Sequence, residues 1–147
     1  MVVAIISLLA SLAVPSAKRY QLNSRATVIA SDLRTFAGVF EAYAQENGTF
    51  PAESGPGEMP AGMAGRLGAT DWQRVTPLGG QYNWENNQQH GGVRYRAAIC
   101  ISETSSAPLE VNADMLLAID KIIDDGDLST GSFRTGVNND ALYIIQQ

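Results

Sequence analysis

The residues of this chain best suited to chemistry stand together near its C-terminal end, in Asp124-Asp125-Gly126-Asp127-Leu128-Ser129-Thr130-Gly131. Asp124, Asp125 and Asp127 crowd one short segment, and their carboxylates repel unless a cation sits among them. Calcium takes six to eight oxygens from flexible acidic loops of this kind. Asp125, Asp127 and Ser129 have the alternate spacing that opens many calcium loops, although the glycine comes late and Gly136 stands where an EF-hand places its bidentate Glu. Asp124, Asp125, Asp127 and Ser129 are therefore the candidate metal ligands, and calcium the candidate cofactor. A helix C-cap followed by a solvated acidic turn accounts for the same residues without a metal.

Elsewhere the chain is poor in reactive groups. His90 is the sole histidine and sits in the polar run Asn86-Asn87-Gln88-Gln89-His90-Gly91-Gly92, which reads as a loop surface. Cys100 is the sole cysteine, so no intrachain disulfide can form; flanked by Ile99 and Ile101, it reads as a packed strand residue. No Ser/His/Asp set, no phosphate-loop lysine and no His/Cys cluster for zinc is apparent, so the chain does not read as an enzyme. Asn47-Gly48-Thr49 has the form of a glycosylation sequon but reads first as a helix cap and turn.

Charge is unevenly placed. The formal net charge is −5, and residues 101–147 account for it, with eight acids against Lys121 and Arg134. No basic face with interleaved aromatics is present, which argues against nucleic acid as a partner. A cation or a basic neighbour fits better.

The elements that must position these residues can be read from periodicity. Residues 52–68 form a Gly/Pro/Met-rich connection with a helical turn expected from Pro60, and Met59, Met63 and Leu67 spaced to lie on a sheet. A strand is expected over 81–85, a polar loop over 86–92, and a half-buried antiparallel strand over 93–101. Asn112 caps an expected helix that buries Met115, Ile119, Ile122 and Ile123 and ends at Gly126. Phe133 and residues 141–145 read as closing strands around an Asn138-Asn139-Asp140 turn.

The N-terminal part is different in kind. Residues 1–14 (MVVAIISLLASLAV) are uncharged, with only the Ser7 and Ser11 hydroxyls to satisfy, and both can bond back to a helical carbonyl. At 1.5 Å rise they span about 21 Å, short of the roughly 30 Å hydrocarbon core. A signal-peptide core, a buried helix, or the remainder of a longer membrane segment would each read this way. Pro15 then deletes a backbone donor and predicts a kink or a locally melted turn. Beyond it Leu22, Ala26, Ile29, Leu33, Phe36, Phe40 and Tyr43 step by four and three, one continuous apolar helix face ending near Glu46.

The stretch MVVAIISLLASLAVPSAKRY resembles the N-terminal region of type IV pilins and type II secretion pseudopilins, and AYAQENGTFP resembles the helix exit of the major-pseudopilin type. Members of that family begin their mature chain with a Phe and, a turn later, a Glu, after a basic leader cut by a prepilin peptidase that also methylates the new end. Matching ASLAVP sets Met1 about seven residues inside that start, and restoring them would give a membrane-spanning run of about 21. The resemblance implies an α+β, pilin-like fold: a long N-terminal α-helix packed on a small antiparallel β-sheet. Residues 1–47 would be hydrophobic stalk and amphipathic helix, and 48–147 the globular head. Without a disulfide, the resemblance points to the pseudopilin side, where calcium orders the C-terminal loop.

The implied function is that of a structural subunit of a helical type IV pilus-like or type II secretion pseudopilus filament. It would wait in the bacterial inner membrane as a precursor, then join a periplasmic or extracellular homo-oligomer through the pilus or type II secretion assembly machinery. Two other readings stand beside it: a secreted small binding module with an N-terminal signal peptide, and a minor pseudopilin that primes assembly.

Overall fold

The computed structural model describes residues 2–110 and 112–147. Met1, the first residue of the expected apolar run, lies outside them. Helix α1 (Val2–Asn47) is followed by α2 (Ala69–Gln73), strands β1 (Gln81–His90) and β2 (Val93–Ser102), helix α3 (Ala113–Ile123), and strands β3 (Phe133–Thr135) and β4 (Ala141–Gln146). The strands form one antiparallel sheet in the order β1-β2-β4-β3. A long helix on a small antiparallel sheet is the expected α+β architecture.

Helix α1 has two characters. Ser7 and Ser11 bond back to the carbonyls of Val3 and Leu8, each at 2.8 Å, so this half hides its only polar side-chain atoms within itself. The local melting expected at Pro15 does not occur: the helix runs unbroken through it. Pro15 removes one intrahelical bond, and the Ser16 hydroxyl reinforces the turn by donating to Ala13 O at 3.1 Å. From Ala26 the heptad face turns inward. Ala26, Ile29, Leu33, Phe36 and Phe40 are buried, with Leu22 and Tyr43 half-buried at either end. The helix stops as the sequence predicts: Gly48, at φ 74°, donates to Ala44 O at 2.8 Å, and the Asn47 amide donates to Tyr43 O at 2.9 Å.

The helix meets the sheet through aromatic rings. Phe40 stacks on Trp84 with centroids 3.7 Å apart and planes 7° from parallel, while Phe36 meets Trp72 and Tyr82 edge-on at 5.2 and 5.1 Å. Both buried indoles are satisfied, Trp72 Nε1 donating to Glu58 O at 2.8 Å and Trp84 Nε1 to Pro51 O at 3.0 Å. The Gly/Pro/Met-rich connection thus seals the core rather than looping free. Met63 and Leu67 are buried in it and Met59 packs against it. The turn at Pro60 forms, its carbonyl accepting from Met63 N at 3.0 Å; α2, which carries Trp72, was not anticipated.

Three further sequence expectations need correction. Residues 86–90 are not loop: β1 continues to His90, because Gly91 and Gly92, at φ 55° and 85°, make the two-residue turn that joins β1 to β2. Strand β2 is not half-buried over its last part, since Ala97, Ala98, Ile99, Cys100 and Ile101 are all fully buried. Tyr82, Trp84, Ile99 and Ile101 share the helix-facing side by register, and Cys100 and Ala98 pack with Tyr95 and Leu142 on the far side. In α3 the buried face is Met115, Leu116 and Ile119, and Ile122 is exposed while its carbonyl accepts from Arg34 at 2.5 Å. Asn112 caps this helix as expected, accepting from the Asp114 and Met115 amides at 3.0 and 3.2 Å.

Candidate functional site

Helix α3 delivers the acidic segment. Its carboxylates are turned onto the loop's own donors: Asp125 accepts from Asp127 N at 2.9 Å and Thr130 Oγ1 at 2.8 Å, and Asp127 from Ser129 N at 3.0 Å and Ser129 Oγ at 2.6 Å. The Ser129 bonds, side chain first, hold Asp127 below the usual carboxylate range. Asp124 reaches across the loop to the Ser132 amide. That reach depends on Gly131, at φ 72°, where a Cβ would lie 1.9 Å from Asp124 Oδ2. The structure thus brings Asp124, Asp125, Asp127 and Ser129 into one compact loop without converging their oxygens on a single point.

Asp120, one turn before Asp124, was missed by sequence reasoning. It is fully buried, and its carboxylate meets no side-chain donor, with only a weak approach from the Gly126 backbone amide. Burial first, then the charges of Asp125 and Asp124, push its carboxyl above the ordinary range. A buried carboxylate with no side-chain donor beside three more acids is what a plain solvated turn would not contain. The donor set, all oxygen and rich in negative charge, suits a hard cation such as calcium.

A second group of functional side chains lies on the far face of the sheet. Glu85 and His90 are five residues apart, so strict alternation along β1 would put them on opposite faces. Asn87, at φ 61° and outside the β1–β2 pairing, breaks that alternation. His90 Nε2 consequently pairs with Glu85 Oε2, both side chains nearly buried at 10 and 12% exposure. Cys100 Sγ lies 4.0 Å from the same nitrogen. Among the described residues, Glu85, His90 and Cys100 are the one group of three or more His, Cys, Asp or Glu whose ligand atoms all fall within 4.8 Å of one another.

Around this group the polar atoms are well organised. The Ser102 hydroxyl donates to Asp140 Oδ2 at 2.7 Å and lies 2.9 Å from Asn83 Oδ1, and the Asn83 amide donates to Glu85 Oε1 at 3.3 Å. Burial, aided by the Glu85 charge, raises Asp140; burial and then Glu85 push the Cys100 thiol well up. Cys100 is therefore no nucleophile: it is buried, held as a thiol, and shares His90 Nε2 with a carboxylate. His90, expected as loop surface, is instead the centre of this group. The Gly91-Gly92 pair was the one signal in the sequence that β1 reaches His90.

Neither site accounts for the first half of α1. Residues 3–11 and 13–21 are all exposed, Val3, Ile5, Ile6, Leu8 and Leu9 at 60–76% of their surface. The helix is long and apolar enough to cross a membrane, a criterion that a signal sequence also meets. Comparison of the chain with protein-family models, with curated proteins and with solved structures finds no match.

Proposed function

We propose that this protein is a structural subunit of a helical, pilus- or pseudopilus-like filament, held in a membrane by its N-terminal helix before assembly. One observation carries the reading: a single uninterrupted helix is buried in the head from Ala26 to Phe40 and bare along its apolar first half. Large apolar side chains in water cost about 25 cal/mol per Å², so that half needs a covering. Lipid before assembly and neighbouring copies after it would supply one. Such contacts join different surfaces of successive copies and do not close, which is the geometry of filaments.

The continuity of α1 through Pro15 supports a stalk that stays with its head over a segment that is cut away. The acidic segment, with Asp120 behind it, would bind calcium and order the C-terminal part of the head, linking secretion into a calcium-rich space to a firm outer layer.

Intact mass spectrometry of the cellular protein, with negative-stain microscopy of sheared surface material, tests the reading. Retention of the apolar stretch with a methylated N-terminus and thin filaments of this subunit are expected. A soluble monomer cleaved after Ala13 would overturn it in favour of a secreted binding module, and a retained anchor without filaments would favour a minor priming subunit.

A further inference from the structure

We propose that Glu85, His90 and Cys100 form a binding site for a zinc-class divalent metal, distinct from the acidic loop in both place and chemistry. One sulfur, one nitrogen and one oxygen converge within 4.8 Å from β1 and β2. Zinc accepts this mixture of donors, whereas calcium takes oxygen alone. A tetrahedral zinc, with Zn–S about 2.3 Å and Zn–N about 2.0 Å, sets sulfur and nitrogen about 3.5 Å apart. Sγ and Nε2 stand at 4.0 Å here, so that pair closes by about half an ångström on a metal, while Glu85 Oε2, now hydrogen-bonded to Nε2, gives up that bond and opens away from it.

Charge favours the same conclusion. A thiolate, a carboxylate and a neutral imidazole carry two negative charges, which one divalent ion cancels in a nearly buried place. Without the ion, the thiol and the Glu85 carboxylate compete for one imidazole nitrogen, and Asp140 adds a further carboxylate nearby. Binding would displace the Cys100 proton to solvent. It would also move the imidazole proton to Nδ1, giving up the long 3.4 Å contact from Val137 N.

The frame is held from behind. The Gly136 backbone lies against the ring, where a Cβ would be 3.1 Å from Nδ1, and Asn83 braces Glu85. A cleft of about 260 Å³ lined by His90, Val93, Tyr95, Ser129 and Val137 opens one side of the imidazole to solvent. The site lies across the sheet from α1, so it does not depend on the filament reading.

The test uses the full chain in detergent micelles, stripped with chelator and titrated with Co²⁺. A one-to-one thiolate-to-cobalt charge-transfer band is expected, bleached by Zn²⁺, together with a zinc-dependent rise in thermal midpoint. Cys100→Ser and His90→Gln should each lose the band, and Glu85→Gln should weaken zinc by about tenfold or more. The Asp125→Asn/Asp127→Asn double variant should keep it. A wild-type chain shown folded by circular dichroism that gives neither band nor thermal shift at saturating metal would overturn the proposal. So would a folded His90→Gln chain that keeps both.

Discussion

The hydroxyl of Tyr82 donates a 2.8 Å hydrogen bond to Asp32 Oδ2, tying the first strand to the long helix. The same carboxylate oxygen pairs with Arg74, whose guanidinium lies at the mouth of the core. Burial, then the Asp32 charge, pushes the Tyr82 phenol far above its ordinary range, so it stays a donor at any pH the protein meets. Tyr82→Phe removes one neutral donor and should cost about 1 kcal/mol, whereas Asp32→Ala strands two partners and should cost about 2–3 kcal/mol. Denaturant midpoints of the two variants check the ranking.

The two halves of α1 should answer mutation in opposite ways. Phe40→Ala opens a cavity beneath Trp84 and should destabilise the head by about 3–5 kcal/mol. Leu8→Lys touches nothing in the head and should change its stability by less than about 0.5 kcal/mol, yet it places a charge where lipid or a neighbouring copy would lie. Thermal melts together with membrane fractionation separate the two effects; equal loss of both properties in Leu8→Lys would count against the stalk.

Asp120 should make stability depend on pH in an unusual direction. Its folded-state carboxyl is raised, so as pH falls through the carboxylate range the native state takes up this proton before the unfolded chain does. Its contribution is therefore most unfavourable at neutral pH and is relieved on acidification. In chelator, Asp120→Asn should raise the neutral-pH thermal midpoint by several degrees, with the gain fading toward acid. With calcium added the wild type should gain and the variant should not; calcium titrations followed by melting decide this.

Gly79 is held at φ 78°, where a Cβ would lie 2.2 Å from the Pro108 carbonyl oxygen. Its own amide closes a turn onto Thr76 O at 2.9 Å, and the neighbouring Gly80 amide reaches Pro108 O at 3.2 Å. Gly79→Ala combines a left-handed backbone with that clash and should cost more than about 1–2 kcal/mol, read as a lowered denaturant midpoint. Gly48→Ala, equally left-handed but in open space, should cost less.

Much of this fold was legible because its signals are local. The four-and-three step from Leu22 to Tyr43 marks a helix face whatever lies opposite, and Asn112 and Gly48 act as caps through groups within a few residues. The apolar stretch before Pro15 announces its need for a covering by composition alone. Strand β1 was cut short because its polar second half carries no alternation to read; Gly91-Gly92 held that information in its turn geometry instead.

Side-chain convergence was another matter. Nothing in the spacing of Glu85, His90 and Cys100 brings them together. It takes the antiparallel register that sets Asn83 opposite Cys100, and the left-handed residue at Asn87 that brings His90 onto the face of Glu85. Asp120 likewise carries no mark of its burial in the sequence. The amino-acid sequence by itself determined the long helix, its two characters and the acidic segment, since these rest on periodicity and charge along the chain. Only the tertiary structure decided which polar groups would be buried together, because register, backbone flips and burial are properties of residues distant in sequence made neighbours by packing.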